Sequence, residues 1–182
     1  MKNILKEKRT KSGKKIILKT PSPSDATNMI NYFNVIGGES DYLLFGKNEF
    51  RFSLEDEKKH IEKINADVGS CIIIGLIDNH IVTCAQLIRY QRERIAHNGS
   101  LSISVKKEYW GEGIATIVLD EIIKYAKLCK KIRNIKISVN SENIRAISLY
   151  VKFGFKKIGV HKNSLFVNGT YYDEILMDLV LY

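Results

Sequence analysis

The chain has 182 residues, 45% hydrophobic and 27% charged, the balance of a folded globular protein and not of a disordered one. No apolar run approaches the ~18 residues needed to span a bilayer, and the charged start "MKNILKEKRTKSGKK" has no apolar stretch of the kind a secretory signal requires. The net charge of +9 is local: residues 1–19 hold eight Lys/Arg against one Glu, which leaves +2 for the rest of the chain.

In chain order, residues 1–15 form a basic arm or hairpin, in which Leu5–Arg9 pairs with the strand 14–19 across Ser12-Gly13. Such a tail attracts RNA or acidic surfaces by charge, or it is simply solvated. No helix-turn-helix, zinc-finger or RRM signature accompanies it, which disfavours nucleic acid as a partner. Ser22 then caps a helix with Pro23 at its first position and Asp25 in its first turn. Met29, Ile30, Phe33 and Ile36 give that helix its apolar stripe, and Gly37-Gly38 stop it. A second helix covers 53–64, with Ser53 as cap and Asp56 at the capping-box position; Glu55, Asp56 and Glu57 complement its dipole.

Strands follow at 71–77 and 81–89, joined across a hairpin-length gap, and another at 100–105. Cys71, Cys84 and Cys129 are odd in number and lack CxxC spacing, and the four histidines are scattered. Neither a disulfide framework nor a metal site is expected, and a reducing cytoplasm fits. A long helix spans about 112–130, a short strand 134–139 and a helix 143–153 that Gly154 ends. The chain closes with a strand from Phe155, a hairpin about Asn168-Gly169 and a last strand. A strand–helix–strand passage implies a parallel pair. The expectation is one α/β (α+β) domain over 1–182, in the order βααβββαβαββ, with a mixed sheet of about seven strands and helices on both faces.

"VKKEYWGEGIAT" (105–116) puts Gly111-x-Gly113 at a strand-to-helix joint. Unpaired N–H groups and the helix dipole make that joint a phosphate cradle; a tight turn needing positive φ is the plainer reading. The P-loop pattern is absent, and a dinucleotide fingerprint fails at Thr116 and Asn140.

Val105, "GEGIA", Asn143, "AISLY" and "KFGF" together resemble the GNAT superfamily of acetyl-CoA-dependent N-acyltransferases, over essentially the whole chain. "FVNGTYYDEILMDL" is similar to the branch holding ribosomal-protein alanine and spermidine N-acetyltransferases. The resemblance implies acetyl-CoA as co-substrate, no metal, and direct transfer to a primary amine, from a small cationic amine or a peptide N-terminus. It implies cofactor contacts from Ile103, Ser104 and Val105, from Gly111, Glu112, Gly113, Ile114, Ala115 and Thr116, and from Asn143 and Tyr150. Val105 N–H is the expected oxyanion donor and Tyr150 the expected acid; helix capping by Asn143 and core packing by Tyr150 are the plainer readings. Trp110 stands where relatives carry Gln or Arg, and Ser100 where many carry an acid. Glu39, Asp41 and Glu49 are therefore the candidate bases, part of an acidic rim of net −4 over 39–57. A homodimer is compatible. The alternatives are an acetyl-CoA sensor with little turnover, and a ribosome- or RNA-associated protein using the basic arm.

Overall fold

The computed structural model describes residues 4–181. Met1–Asn3, within the basic arm, and Tyr182 lie outside it. The strands are β1 (Leu5–Arg9), β2 (Lys15–Lys19), β3 (Cys71–Ile77), β4 (His80–Arg89), β5 (Asn98–Val105), β6 (Asn134–Asn140), β7 (Lys156–Val167) and β8 (Thr170–Val180). The helices are α1 (Ala26–Ile36), α2 (Leu54–Ala66), α3 (Ile114–Cys129) and α4 (Ile144–Lys152). All eight strands join one sheet in the order β1-β2-β3-β4-β5-β6-β8-β7. This corrects the count of about seven: the order βααβββαβαββ omits β1, which is a full edge strand paired with β2 from Leu5↔Lys19 to Arg9↔Lys15. Every pairing is antiparallel except β5–β6, which is parallel, as the intervening helix demands.

"CIIIGLI" is apolar at successive positions because both faces of β3 are covered. Ile72 and Ile74 pack with Met29, Phe33, Ile36, Ile61 and Ile64 of α1 and α2. Cys71 and Ile73 pack with Val118, Leu119 and Ile122 of α3. Tyr150 of α4 joins this second core.

The helix expected from Pro23 opens as a short 3-10 turn, Pro23–Asp25, before α1 begins. Ser22 N and Oγ both donate to the Asp25 carboxylate, at 2.8 and 3.1 Å. The capping box of α2 forms as expected, with Asp56 N donating to Ser53 Oγ at 3.1 Å and Ser53 N to Asp56 Oδ2 at 3.3 Å. Gly37 ends α1 because nothing larger fits. A Cβ there would stand 2.3 Å from the carbonyl oxygen of Gly46, so the loop between α1 and α2 folds back tightly on the helix end.

Candidate functional site

The site begins with a pairing that stops. β5 and β6 are bonded only over Asn98–Ser100 and Asn134–Lys136. Beyond that, β5 pairs with β4 alone and β6 with β8 alone, so the sheet opens between 101–105 and 137–140. The ladder parity decides what faces the opening. Tyr90 N donates to Asn98 O at 3.0 Å and Lys106 N to Val82 O at 2.9 Å. Arg89–Gly99 and Thr83–Val105 are therefore the non-bonded pairs of the antiparallel ladder. The peptide groups of Leu101, Ile103 and Val105, at the same parity on β5, turn away from β4 and into the gap. Val105 N–H thus faces the opening, and Val105 O accepts from Trp110 Nε1 at 2.8 Å.

The chain then passes a short 3-10 turn, Lys107–Tyr109, and reaches the glycines. Gly111 and Gly113 have φ of +89° and +80°, a backbone region that costs other L-residues about 1–2 kcal/mol. Gly113 is the N-cap of α3. Ile117 N donates to Gly113 O at 3.1 Å, so the amides of Ile114, Ala115 and Thr116 precede the helical ladder. A Cβ on Gly111 would meet nothing within 4 Å among the described residues, so the loop borders open space at that residue. Glu112, the loop's one acid, is bound by Ser12 N at 3.1 Å and Ser12 Oγ at 2.6 Å. The hydroxyl and then the amide hold its carboxyl below the usual range, with the Lys14 charge helping.

Across the opening, Asn143 caps α4: Ala146 N donates to its Oδ1 at 3.2 Å. Tyr150 lies on the inner face of α4, 6% exposed, with its ring 5.5 Å from that of Phe155. Burial pushes its hydroxyl up to about 12. Trp110 ties the loop to this side, because the Arg145 guanidinium sits over its ring at 5.7 Å.

On the other face of β4 and β5, beneath the α1–α2 loop, is a pocket. Phe33, Leu43 and Phe45 wall it, and Cys84, Gln86, Ser102 and Ser104 form its floor. Tyr32 Oη and Ser104 Oγ lie 3.0 Å apart. Cys84 is buried, and burial drives its thiol up to about 12, reinforced by the neighbouring Glu57 carboxylate. Glu39 is half-buried and accepts from Lys107 N at 2.8 Å, which ties the α1–α2 loop to the end of β5. Glu49 is exposed and accepts from Gly46 N at 2.7 Å, and Asp41 is exposed. The geometry therefore brings Ile103–Val105, Gly111–Thr116, Asn143 and Tyr150 around one opening and sets Glu39 at its edge, while Glu49 closes a turn of its own loop.

One acid here has a role the sequence reading did not give it. Glu57 is 1% exposed, and among the described residues neither of its side-chain oxygens has a hydrogen-bond partner. Burial raises its carboxyl; the neighbouring His60 charge opposes that rise. The signal was in the spacing: Glu57, Ile61 and Ile64 recur at i, i+4 and i+7, which is the buried stripe of α2. His60 Nε2 lies 3.0 Å from Gln86 Oε1 and links the same helix to the pocket floor. Among the described residues no cluster of three or more His, Cys, Asp or Glu could hold a metal.

Residues 41–155 match the Acetyltransferase (GNAT) family, more than half of the chain. The chain belongs to that family. It is 28% identical over 105 residues to the L-amino acid N-acetyltransferase AaaT of Escherichia coli (strain K12), a match covering 58% of this chain and 65% of that one. Across the curated relatives it matches, this GNAT chain spans between 45% and 65% of their length. Its fold superposes on a GNAT-family acetyltransferase from Streptococcus pneumoniae with a TM-score of 0.88 at 23% identity, covering 91% of this chain and 99% of that one. It also superposes on yncA of Salmonella typhimurium, solved with its cofactor acetyl-CoA. There the TM-score is 0.79 at 15% identity, over 92% of this chain and 94% of that one. The two structures establish the shared fold.

Proposed function

We propose that this GNAT-family protein is an N-acetyltransferase that moves an acetyl group from acetyl-CoA to a primary amine by direct attack, with both substrates bound together. The observation that carries this reading is the gap between β5 and β6, into which Val105 N–H points, next to a glycine loop whose leading amides are free of the helical ladder. An extended amide-bearing arm joins such a strand edge by main-chain bonds, and a diphosphate suits a helix start of this kind. The residues assigned to the coenzyme are Ile103, Ser104 and Val105, the segment Gly111 to Thr116, and Asn143 and Tyr150.

The thioester supplies an activated acetyl group; the chain's own residues do the rest. Val105 N–H donates to the developing oxyanion, a contribution of roughly 3 kcal/mol where such donors have been measured. Tyr150, a phenol protonated at neutral pH and lifted by burial to about 12, is the group assigned to deliver a proton to the departing thiolate. The amine must lose a proton before it attacks, and Glu39 is the acid assigned to receive it. Its contact with Lys107 N brings it within two residues of Val105 along the chain. The acceptor enters from the α1–α2 side, through the pocket floored by Ser102 and Ser104.

We infer further that the acceptor is cationic, a small amine or a peptide N-terminus, drawn by the acids of the α1–α2 loop. The amino acid N-acetyltransferase relative is compatible with an α-amine as the attacking group. The test is a panel of polyamines, amino acids and peptides offered with acetyl-CoA, read by release of free thiol. Turnover with at least one cationic amine is the expected result. Tight acetyl-CoA binding with no thiol release from any amine would instead make the protein a sensor.

A further inference from the structure

We propose that the turn of the β1–β2 hairpin is part of the coenzyme site, with Lys11 and Lys14 supplying cationic contacts to a phosphate of the bound cofactor. This rests on the acetyl-CoA reading above. Arg9 is turned onto its own hairpin, donating to Gly13 O at 3.0 Å, and the six described lysines of the N-terminus divide into two groups. Lys6 and Lys8 both reach Glu121 of α3, at 2.5 and 3.5 Å, and Glu121 is 2% exposed. Lys15 pairs with Glu7 at 2.7 Å and Lys19 with Asp25 at 2.7 Å. These four lysines are consumed by the fold. Lys11 and Lys14 stand apart: among the described residues neither enters an ion pair, and both sit at the end of the hairpin that meets the glycine loop.

The contact with that loop is specific. Lys11 N donates to Glu112 O at 2.9 Å. The Lys11 side chain runs over Gly113, with Cγ 3.5 Å and Cε 3.7 Å from where a Cβ on that glycine would stand. Its ammonium, one bond further on, stands beside the same stretch of backbone. Lys14 Nζ lies over the Tyr109 ring at 5.3 Å, two residues before Gly111. Meanwhile Ser12 binds the Glu112 carboxylate with both its amide and its hydroxyl. A free carboxylate in this loop would repel phosphate. The hairpin turn therefore holds the Glu112 carboxylate, which stays ionised, against Ser12, and the same turn brings two positive charges beside the loop. Its register is set from a distance, because the Lys6–Glu121 and Lys8–Glu121 pairs anchor β1 along α3.

The test is calorimetric binding of coenzyme A and of 3′-dephospho-coenzyme A to three full-length proteins: wild type, Lys11→Ala/Lys14→Ala, and Lys157→Ala as an exposed-lysine control. Titrations run at two salt concentrations. The double variant should bind coenzyme A about tenfold more weakly, the scale of a lost charge-assisted contact. Its affinity should also depend less on salt, while the control matches wild type. An equal loss with the dephosphorylated analogue assigns the contact to the pyrophosphate; a loss confined to coenzyme A assigns it to the 3′-phosphate. Either supports the proposal. Unchanged affinity in the double variant overturns it and leaves the acetyl-CoA reading standing, whereas a wild type that binds no coenzyme A overturns both. If the alanine pair fails to fold, Lys11→Gln/Lys14→Gln keeps the alkyl contacts and gives the same comparison.

Discussion

Tyr150 carries the heaviest chemical assignment and the plainest alternative, since a tyrosine on the inner face of a helix also simply packs. Tyr150→Phe separates them. It should lower kcat by ~10²-fold or more, the scale of a lost general acid, while the coenzyme dissociation constant stays within twofold. A change in kcat below twofold assigns Tyr150 to the core. Because burial lifts the hydroxyl to about 12, its own titration should not appear in rate profiles below pH 10. The neighbouring puzzle is Glu57. Its folded carboxyl is raised by burial, so between the unfolded and folded values the folded state binds more proton than the unfolded chain does. Stability should therefore be highest below the unfolded value and fall as pH rises through the folded one. Glu57→Gln should raise the melting temperature at neutral pH by roughly 2–4 °C, for a gain on the order of 1 kcal/mol, and should flatten that fall. A lower melting point at neutral pH would mean that the charge has a partner worth keeping. Motif residues such as Gly111, Gly113 and Asn143 were legible in the sequence because their types and spacing are tied to backbone geometry. Glu57 was not read correctly because an acid in the first turn of a helix satisfies the dipole equally well on either face.

Elements were legible wherever local chemistry chooses the conformation. Asp78-Asn79 and Asn168-Gly169 both take the paired positive φ of a two-residue hairpin, and the gaps between strands pointed to both turns. The Ser53–Asp56 capping box fixed the start of α2 to within a residue. β1 was harder to count as part of the sheet because "LKEKR" is mostly exposed and charged, and edge strands are commonly charged in this way. The end of α1 was legible from Gly37-Gly38, which stop the helix at Ile36; the close approach of the distant Gly46 to residue 37 was not. Gly37→Ala would drive a Cβ into the Gly46 carbonyl, which is 2.3 Å away. That overpacking should cost about 1–3 kcal/mol in a urea titration. It should also loosen the loop that carries Glu39, so acceptor KM should rise while coenzyme affinity is held. An alanine variant as stable as wild type would show that the loop can lift from the helix end freely.

For the molecule as a whole, charge is arranged by side: lysines gather at the glycine loop, and acids on the loop between α1 and α2. Substituting Glu39, Asp41 and Glu49 together by Gln, Asn and Gln keeps their shapes and removes three charges. KM for a cationic acceptor should rise severalfold and its salt dependence should flatten, and kcat should fall as well because Glu39 is the assigned base, with coenzyme affinity unchanged. A panel preferring acidic amino acids, with no effect of salt, would reject this arrangement. The hairpin's place beside the opening of the sheet was not legible in the sequence, because its partners lie far along the chain. Ser12 and Glu112 are 100 residues apart and Lys6 and Glu121 are 115 apart. That separation has a consequence for biosynthesis. At ~5–20 residues per second, the first strand leaves the ribosome several seconds or more before the helix it must dock on has been made. During that interval its lysines face water and discourage pairing with other nascent chains. A strand made well before its partners is thus among the last to reach its final contacts, and its arrival brings the hairpin turn against the glycine loop.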